Sequence, residues 1–350
     1  MTNDDLLSVE NLQVHYVTDD GTAKALNGVN LKLRRGRTLG LVGETGAGKT
    51  TTALSILNLI PKPQGRIMGG KVFLNGQDIL KKNEREMGRI RGQLVSMIFQ
   101  DPMTALNPVL SVGDQIAEVI SIHQGLGRKE AWNKAGEMLR IVGIDSGRQG
   151  EYPHQFSGGM KQRVGIAMAL ACNPKLLLAD EPTTALDVTI QAQVLKLMGE
   201  LKKELDMSVL LITHDLGIVA EICDEVAIMY AGRIVEYGSL EDIFRNHRHP
   251  YTEGLFNSLP KIDDRKAKLK PIRGLMPDPF RLPSGCPFHD RCDFALAACT
   301  SVLPEAHRIG AVHFAECHLY DAKLNPAPAT FVGGKCIGEK PVDKKKGTRS

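Results

Sequence analysis

A chain of 350 residues has room for about two domains of about 150 residues each, enough for a sizeable hydrophobic core. At 42% apolar and 24% charged residues the composition is that of a globular protein, which excludes disordered, collagen-like and coiled-coil classes. The formal charge of +4 resides in residues 335–350, where six Lys or Arg meet two acidic residues; the body is neutral, and no nucleic-acid partner is expected. The longest unbroken apolar run, 164–172, spans nine residues against the roughly twenty of a membrane-crossing helix. Asp4, Asp5 and Glu10 leave no basic start followed by an apolar stretch, so no secretory signal is expected and the cytosol is the expected compartment. There, seven cysteines point to metal or cluster ligation rather than to disulfides.

Over the first 40 residues apolar and polar positions alternate (Leu7, Val9, Leu12, Val14, then Val29, Leu31, Leu33), which predicts an antiparallel sheet. A short buried strand, 38–42, then runs into Gly43-Glu44-Thr45-Gly46-Ala47-Gly48-Lys49-Thr50. After Thr51 a helix carries Leu54, Leu57 and Ile60 on one face until Pro61 stops it. Strand, glycine loop and helix are the context of a phosphate-binding loop, and the match to G-x-x-x-x-G-K-[ST] is complete. Such a loop turns backbone N–H groups and a helix N-terminus toward phosphates, with Lys49 as a point charge and the Thr50 hydroxyl as a Mg²⁺ ligand.

A strand at 94–100 ends in Gln100. Phe156-Ser157-Gly158-Gly159-Met160 opens a helix, with Ser157 as its N-cap and two glycines that let a ligand approach the backbone. The apolar strand 175–179 delivers Asp180-Glu181 to the edge where ligands collect on parallel sheets. Asp180 is expected to hold Mg²⁺ through water and Glu181 to orient and polarise an attacking water. A further strand, 208–213, delivers His214 to the same edge.

The phosphate loop, the Ser-Gly-Gly signature, the Asp-Glu pair, Ala185-Leu186-Asp187 and His214 follow one another as in the nucleotide-binding subunits of ATP-binding cassette (ABC) transporters, which the chain resembles over roughly 6–325. The resemblance implies an α/β P-loop NTPase core of mixed sheet, parallel at its centre with an antiparallel β subdomain, over 1–100 and 161–240. It also implies a helical subdomain over 101–160, a loop-rich C-terminal extension over 241–334 and a basic disordered tail over 335–350. Two subunits would pack head to tail, ATP on the Lys49 loop of one being clamped by Ser157, Gly158 and Gly159 of the other. On the same resemblance Tyr16 stacks on adenine, Gln100 touches Mg²⁺ or the attacking water, His214 senses the γ-phosphate and Glu181 activates water. The implied partners are a second ATPase subunit, two membrane-spanning permease subunits and an extracytoplasmic solute-binding protein, with this chain on the cytoplasmic face of the membrane.

Residues 99–108, His249-Pro250-Tyr251-Thr252, Pro271-Ile272-Arg273-Gly274 and Gly285-Cys286-Pro287-Phe288 resemble the dipeptide/oligopeptide importer branch, which also contains nickel importers. The departures are Thr45, Ala47 and Thr50 where Ser is common and Phe156 where Leu is usual. Cys286, Cys292, Cys299 and Cys317 are separated by five, six and seventeen residues. Zinc favours C-x₂₋₄-C knuckles, absent here, whereas four-cysteine iron–sulfur clusters tolerate wider gaps. The peptide branch places a [4Fe–4S] cluster on a similar motif. Zinc stays open as the alternative, with His289, His307, His313 or His318 able to replace a cysteine, as do unliganded thiols. Cys172 and Cys223 read as core residues and Cys336 as a free thiol of the tail. The competing functions are import of nickel or another small solute, a soluble ABC ATPase acting on nucleic acid or ribosomes, and an iron–sulfur redox protein.

Overall fold

The computed structural model describes residues 4–100, 105–184, 186–259 and 270–325, with the backbone of 330–332 and 335–337. Residues 101–104 of the 99–108 motif, Ala185 and the tail beyond 337 lie outside the described residues.

The alternation near the N-terminus becomes β1 (Asp5–Thr18) and β2 (Gly21–Arg34), paired antiparallel with Leu7, Val9, Leu12 and Val14 buried. β3 (Thr38–Val42) is buried at all five positions. Beyond it come β4 (Gly65–Leu74), antiparallel to β1, and β5 (Gln77–Asp78), which closes a first sheet in the order β2-β1-β4-β5. The second sheet adds β6 (Val95–Ile98), β7 (Leu176–Asp180), β8 (Ser208–Thr213), β9 (Glu225–Tyr230) and β10 (Arg233–Ser239) to β3. Strands β6, β7, β8, β3 and β9 run parallel, and β10 turns back antiparallel to β9.

The unbroken apolar sequences of β7 and β8 follow from coverage on both faces. Successive side chains alternate across the sheet: Leu176, Leu178, Leu210 and Ile212 face the core shared with β1 and β2, whereas Leu177, Ala179, Val209 and Leu211 face the helices. Fully burying one such side chain is worth about 1.5–3 kcal/mol, so a polar residue at either parity would be costly. The parallel register holds the carboxyl ends of β3, β7 and β8 level, and those ends carry the phosphate loop, the acidic pair and His214.

Between β6 and β7 lie the helices Val112–Gln124 and Arg128–Ile141. The first is capped by Ser111, which accepts the Asp114 N–H, and ends at Gly125 in the left-handed region. They bury Ile116, Ile120, Ala135 and Leu139 in one cluster with Phe156. The helix Gly158–Leu170 then leads back to β7.

The C-terminal extension is tied into the core more closely than a loop-rich appendage. β11 (Ala306–Arg308) and β12 (Phe314–Glu316) continue the second sheet past β10, through the pairs Glu236↔Ala315 and Tyr237↔Phe314. Cys286, Phe288 and Cys299 join the cluster that backs the helices. Three-residue strands show no legible alternation, which is why the sequence pattern left them as loops. Thr330–Val332 and Lys335–Ile337 pair antiparallel, so the first three residues of the segment expected as a disordered tail are in a paired strand. Among the described residues no helix is long and apolar enough to cross a membrane.

Candidate active site

The loop after β3 is shaped by what its glycines avoid. A Cβ on Gly43 would stand 2.2 Å from the Met229 carbonyl oxygen of β9, and Gly48, at φ +105°, lies against the Ala25 carbonyl. Only glycine allows both approaches without a shift of backbone. Lys49 opens the helix Lys49–Ile56, and its ammonium donates to the carbonyls of Gly43 (2.7 Å) and Glu44 (3.1 Å). Burial lowers its pKa, against the pull of Glu181, Asp180 and Glu44. Ala47 is buried, and its carbonyl accepts the Gly232 N–H, which anchors the loop to the β9–β10 turn.

Thr45, Gly46, Gly48, Lys49, Thr50 and Thr51 line a cleft of about 270 Å³ together with Ala25, Gln100, Glu181 and His214. The sequence-predicted catalytic trio thus converges on the phosphate loop from three strand ends. Glu181 is the hub. Its Oε2 accepts from Gln100 Nε2 and from Thr184 Oγ1, both at 3.0 Å, and its Oε1 lies 3.0 Å from His214 Nδ1. Its backbone sits at φ +46°, a conformation that costs a non-glycine residue about 1–3 kcal/mol and here turns the carboxylate into the cleft. The N–H bond from Glu181 to the Ile212 carbonyl of β8 (2.8 Å) helps hold that conformation.

The two adjacent carboxylates are pushed in opposite directions. Burial is the largest influence on Asp180 and raises its pKa, with Glu181 adding to the rise and the Thr50 hydrogen bond and Lys49 opposing it. Burial also works to raise Glu181, yet hydrogen bonds from His214 and Thr184 and the charges of His214 and Lys49 leave it lowered. Glu181 is therefore the readily ionised acceptor, and Asp180 is the buried oxygen donor bonded to the Thr50 hydroxyl. A buried carboxylate paired with a hydroxyl is a fitting hard-oxygen set for Mg²⁺, and Gln100 adds an amide oxygen nearby.

Ser157 caps the helix Gly158–Leu170 by accepting the Met160 N–H at 3.4 Å. Ser157 and Gly158 are exposed, and neither they nor Gly159 line the Lys49 cleft. A Cβ on Gly159 would stand 2.5 Å from Ile190 Cγ2, which sets how closely this turn packs on the helix Val188–Glu204. Tyr16, half-buried on β1, lies outside the cleft with its ring edge against Gly65.

In the extension, Cys286, Cys299 and Cys317 are buried and Cys292 nearly so. Burial pushes the Cys286 thiol up to about 11 and Cys292 up to about 12, and raises Cys299 and Cys317. Burial is the largest cause for Cys317, and the other three cysteines add to the rise. The Phe294 N–H donates to Cys292 Sγ and the Leu296 N–H to Cys299 Sγ, both at 3.4 Å. Among the described residues, however, no three His, Cys, Asp or Glu side chains are gathered as a metal-ion site. The expected ligand set is not assembled: buried neutral thiols carry no charge to draw them onto a common centre. Three of the candidate histidines are hydrogen-bonded, His313 Nε2 with Glu236 (2.8 Å), His318 Nε2 with the Val302 carbonyl (2.8 Å) and His289 Nδ1 with the Cys286 carbonyl (2.8 Å), whereas His307 Nε2 is buried without a hydrogen-bond partner. Cys223 is a core thiol raised by burial to about 12, and Cys172 is half-buried. The side chain of Cys336 lies outside the described residues.

Sequence reasoning missed Thr184, Tyr251 and Arg291. Tyr251 Oη accepts the Glu44 N–H at 3.0 Å, and the Arg291 guanidinium contacts the Glu44 carboxylate at 3.1 Å. Partners 207 and 247 residues from the loop leave no local pattern to read.

Comparison with known proteins places these features in a family context. Residues 26–184 match the family model described as ABC transporter, and residues 235–299 the one described as oligopeptide/dipeptide transporter, C-terminal region. The chain is 48% identical over 324 residues to a dipeptide transport ATP-binding protein of Bacillus subtilis, covering 92% of this chain and 97% of that one. It is 50% identical over 301 residues to an oligopeptide transport ATP-binding protein of Salmonella typhimurium, covering 85% and 89%. Among solved structures, the dimeric ATP-binding cassette MJ0796 bound to ADP and Pi aligns with a TM-score of 0.60 at 27% identity, over 67% of this chain and 98% of that one. The cbiO1 subunit of a Clostridium perfringens ABC transporter complex aligns with a TM-score of 0.59 at 31% identity, over 69% and 91%.

Proposed function

The chain belongs to the ATP-binding subunits of dipeptide and oligopeptide ABC importers, and from that premise we propose how its residues divide the work of ATP hydrolysis. The protein is an ATPase whose turnover drives peptide import, working with a second ATPase subunit and with permease subunits. In the proposed ground state the triphosphate lies along 43–51, where backbone N–H groups and the start of the helix Lys49–Ile56 face it. Lys49 exchanges the Gly43 and Glu44 carbonyls for phosphate oxygens. Thr50, Asp180 and Gln100 would hold Mg²⁺, which would offset the negative charge of the phosphates.

Glu181 orients the attacking water and accepts its proton as the oxygen bonds to the γ-phosphorus and the bond to the bridging oxygen breaks. Gln100, Thr184 and His214 position that carboxylate. His214 Nδ1 faces Glu181, which leaves Nε2 for the γ-phosphate. Tyr16 stacks on the adenine. Ser157, Gly158 and Gly159 complete the site of the partner subunit; the exposure of Ser157 and Gly158 and the place of all three outside their own chain's cleft support that division. The helical subdomain, about 101–160, receives the permease on the cytoplasmic face, and an extracytoplasmic binding protein supplies the peptide.

The observation that carries this mechanism is the placement of Glu181 within 3.0 Å of Gln100, Thr184 and His214 beside the phosphate loop. Glu181→Gln should leave ATP binding intact while steady-state hydrolysis falls by about 10³-fold or more. Near-normal turnover in that variant would remove Glu181 from its role.

A second part of the proposal concerns the extension. Cys286, Cys292, Cys299 and Cys317 hold a [4Fe–4S] cluster that staples this segment, a centre that ties thiolates together across wide sequence gaps. The backbone N–H bonds to two of the sulfurs and the placement of all four cysteines within 32 residues of chain support the reading. Zinc would demand about 2.3 Å to each sulfur and hence a tighter gathering of ligands. Anaerobic purification should give a brown protein with about four irons per chain. A colourless protein with one equivalent of zinc decides against it.

A further inference from the structure

The phosphate loop is gripped from behind by the extension. Glu44, the one acidic residue of the loop, is absent from the lining of the cleft and points the other way. Its Oε2 receives Arg291 Nη1 at 3.1 Å, while its buried Oε1 has no hydrogen-bond partner. Arg291 is itself fixed on every side. Its side chain is 7% exposed, Nε donates to the Arg273 carbonyl at 2.9 Å, and Nη1 also donates to Tyr230 Oη at 3.2 Å. The guanidinium lies 5.7 Å from the Tyr230 ring centre and 5.9 Å from that of Phe288, within reach of both π faces. Tyr230, Tyr251 and Phe288 pack edge and face against one another, and Tyr251 Oη takes the Glu44 N–H. Arg291 directly precedes Cys292, so this contact joins the cysteine-bearing segment to the nucleotide site across 247 residues.

We propose that Arg291 is a positioning residue for nucleotide binding: it cancels the Glu44 carboxylate and holds it away from the phosphates, so that the loop's own carboxylate neither repels ATP nor competes for Lys49. The inference rests on reading the Lys49 loop as the ATP site. A carboxylate released next to that loop repels a triphosphate and competes for the Lys49 ammonium, which already senses Glu44. Nothing in the water-activating group touches Arg291, so the effect falls on affinity rather than on turnover.

The test is the ATP affinity of the full-length chain, measured with Mg-ATP displacing a fluorescent ATP analogue, together with KM and kcat of the assembled transporter. Arg291→Ala should weaken ATP binding by about tenfold and raise KM in step, with kcat within about twofold. Arg291→Lys, which keeps the charge, should stay within about threefold of wild type. Adding Glu44→Gln to Arg291→Ala should restore affinity to within about threefold, because the unpaired carboxylate is gone. An unchanged affinity in Arg291→Ala, a loss confined to kcat, or a double variant as weak as the single one overturns the proposal. Should Arg291→Ala fail to fold, Arg291→Gln and its Glu44→Gln double variant give the same comparison. Lys49→Ala separates the two layers: if it binds ATP like wild type, the assignment of the ATP site fails, whatever Arg291 does.

Discussion

Around Lys49, polar side chains meet from widely separated stretches of chain and bond to one another. Glu181 alone collects Gln100, Thr184 and His214. Around Cys286 the reverse holds: four thiols come from just 32 residues of chain, burial favours their neutral form, and backbone N–H groups address two of the sulfurs. The first region is organised by hydrogen bonds and charge before any ligand arrives, as electrostatic catalysis requires. The second has the composition of a ligand set without the geometry of one, so its order depends on what it binds. Parallel strand ends impose the first arrangement, and they do so with few residues. Around its cysteines, over 286–317, the extension has two three-residue strands to lean on and borrows the core's sheet and hydrophobic cluster.

The sharpest way to break this contrast is to alter Ser157, which belongs to the cleft's function but not to the cleft of its own chain. Ser157→Arg should reduce hydrolysis by about 10²–10³-fold while ATP binding to the single chain stays unchanged, the two being measured by phosphate release and by nucleotide titration. Loss of binding in the isolated chain would place Ser157 in its own site and dissolve the two-subunit reading. In the extension, Cys299→Ser should abolish bound iron, and limited proteolysis should cut the segment after 284 at least about tenfold faster, with the Lys49 cleft still binding nucleotide. Equal protease resistance with and without iron would make the thiols ordinary core residues.

The same contrast explains what could be read from the chain. The loop 43–51, the pair Asp180-Glu181 and His214 were legible because each sits directly after a short apolar run, and parallel strands bring such ends to one edge. The antiparallel sheet was legible in the alternation of Leu7 with Val9 and of Leu12 with Val14, although a bulge between the two pairs changes the parity. Thr184 was not, since a threonine three residues past a glutamate is ordinary turn chemistry. Arg291 and Tyr251 were beyond reach for a different reason: a salt bridge spanning 247 residues is decided by packing, and no local spacing encodes it. The extension was read as loops because β11 and β12 are shorter than one full period of evidence for a strand.

The smallest effect concerns the joint between the two regions, the helix Pro250–Asn257 that carries Tyr251 to the phosphate loop. His249 caps it, Nδ1 accepting the Tyr251 N–H at 3.0 Å, and is 1% exposed. Burial lowers its pKa from 6.5 to about 4, although Glu236 and the backbone of Glu316 work to raise it. A folded-state value below the unfolded one means that the unfolded chain binds the proton first. Stability is therefore fully present above about pH 6.5 and drains away as pH falls toward 4, by up to roughly 3 kcal/mol over that window. His249→Asn keeps an oxygen to accept the Tyr251 N–H but has nothing to protonate. Its thermal unfolding should match wild type within a few degrees near neutrality and fall less steeply between pH 6.5 and 4, the gap between the two curves growing as the solution is acidified. Because the helix sets the Tyr251 contact to Glu44, nucleotide affinity should follow the same divergence, and parallel pH profiles for the two proteins would show that His249 is not the group that loosens this joint in acid.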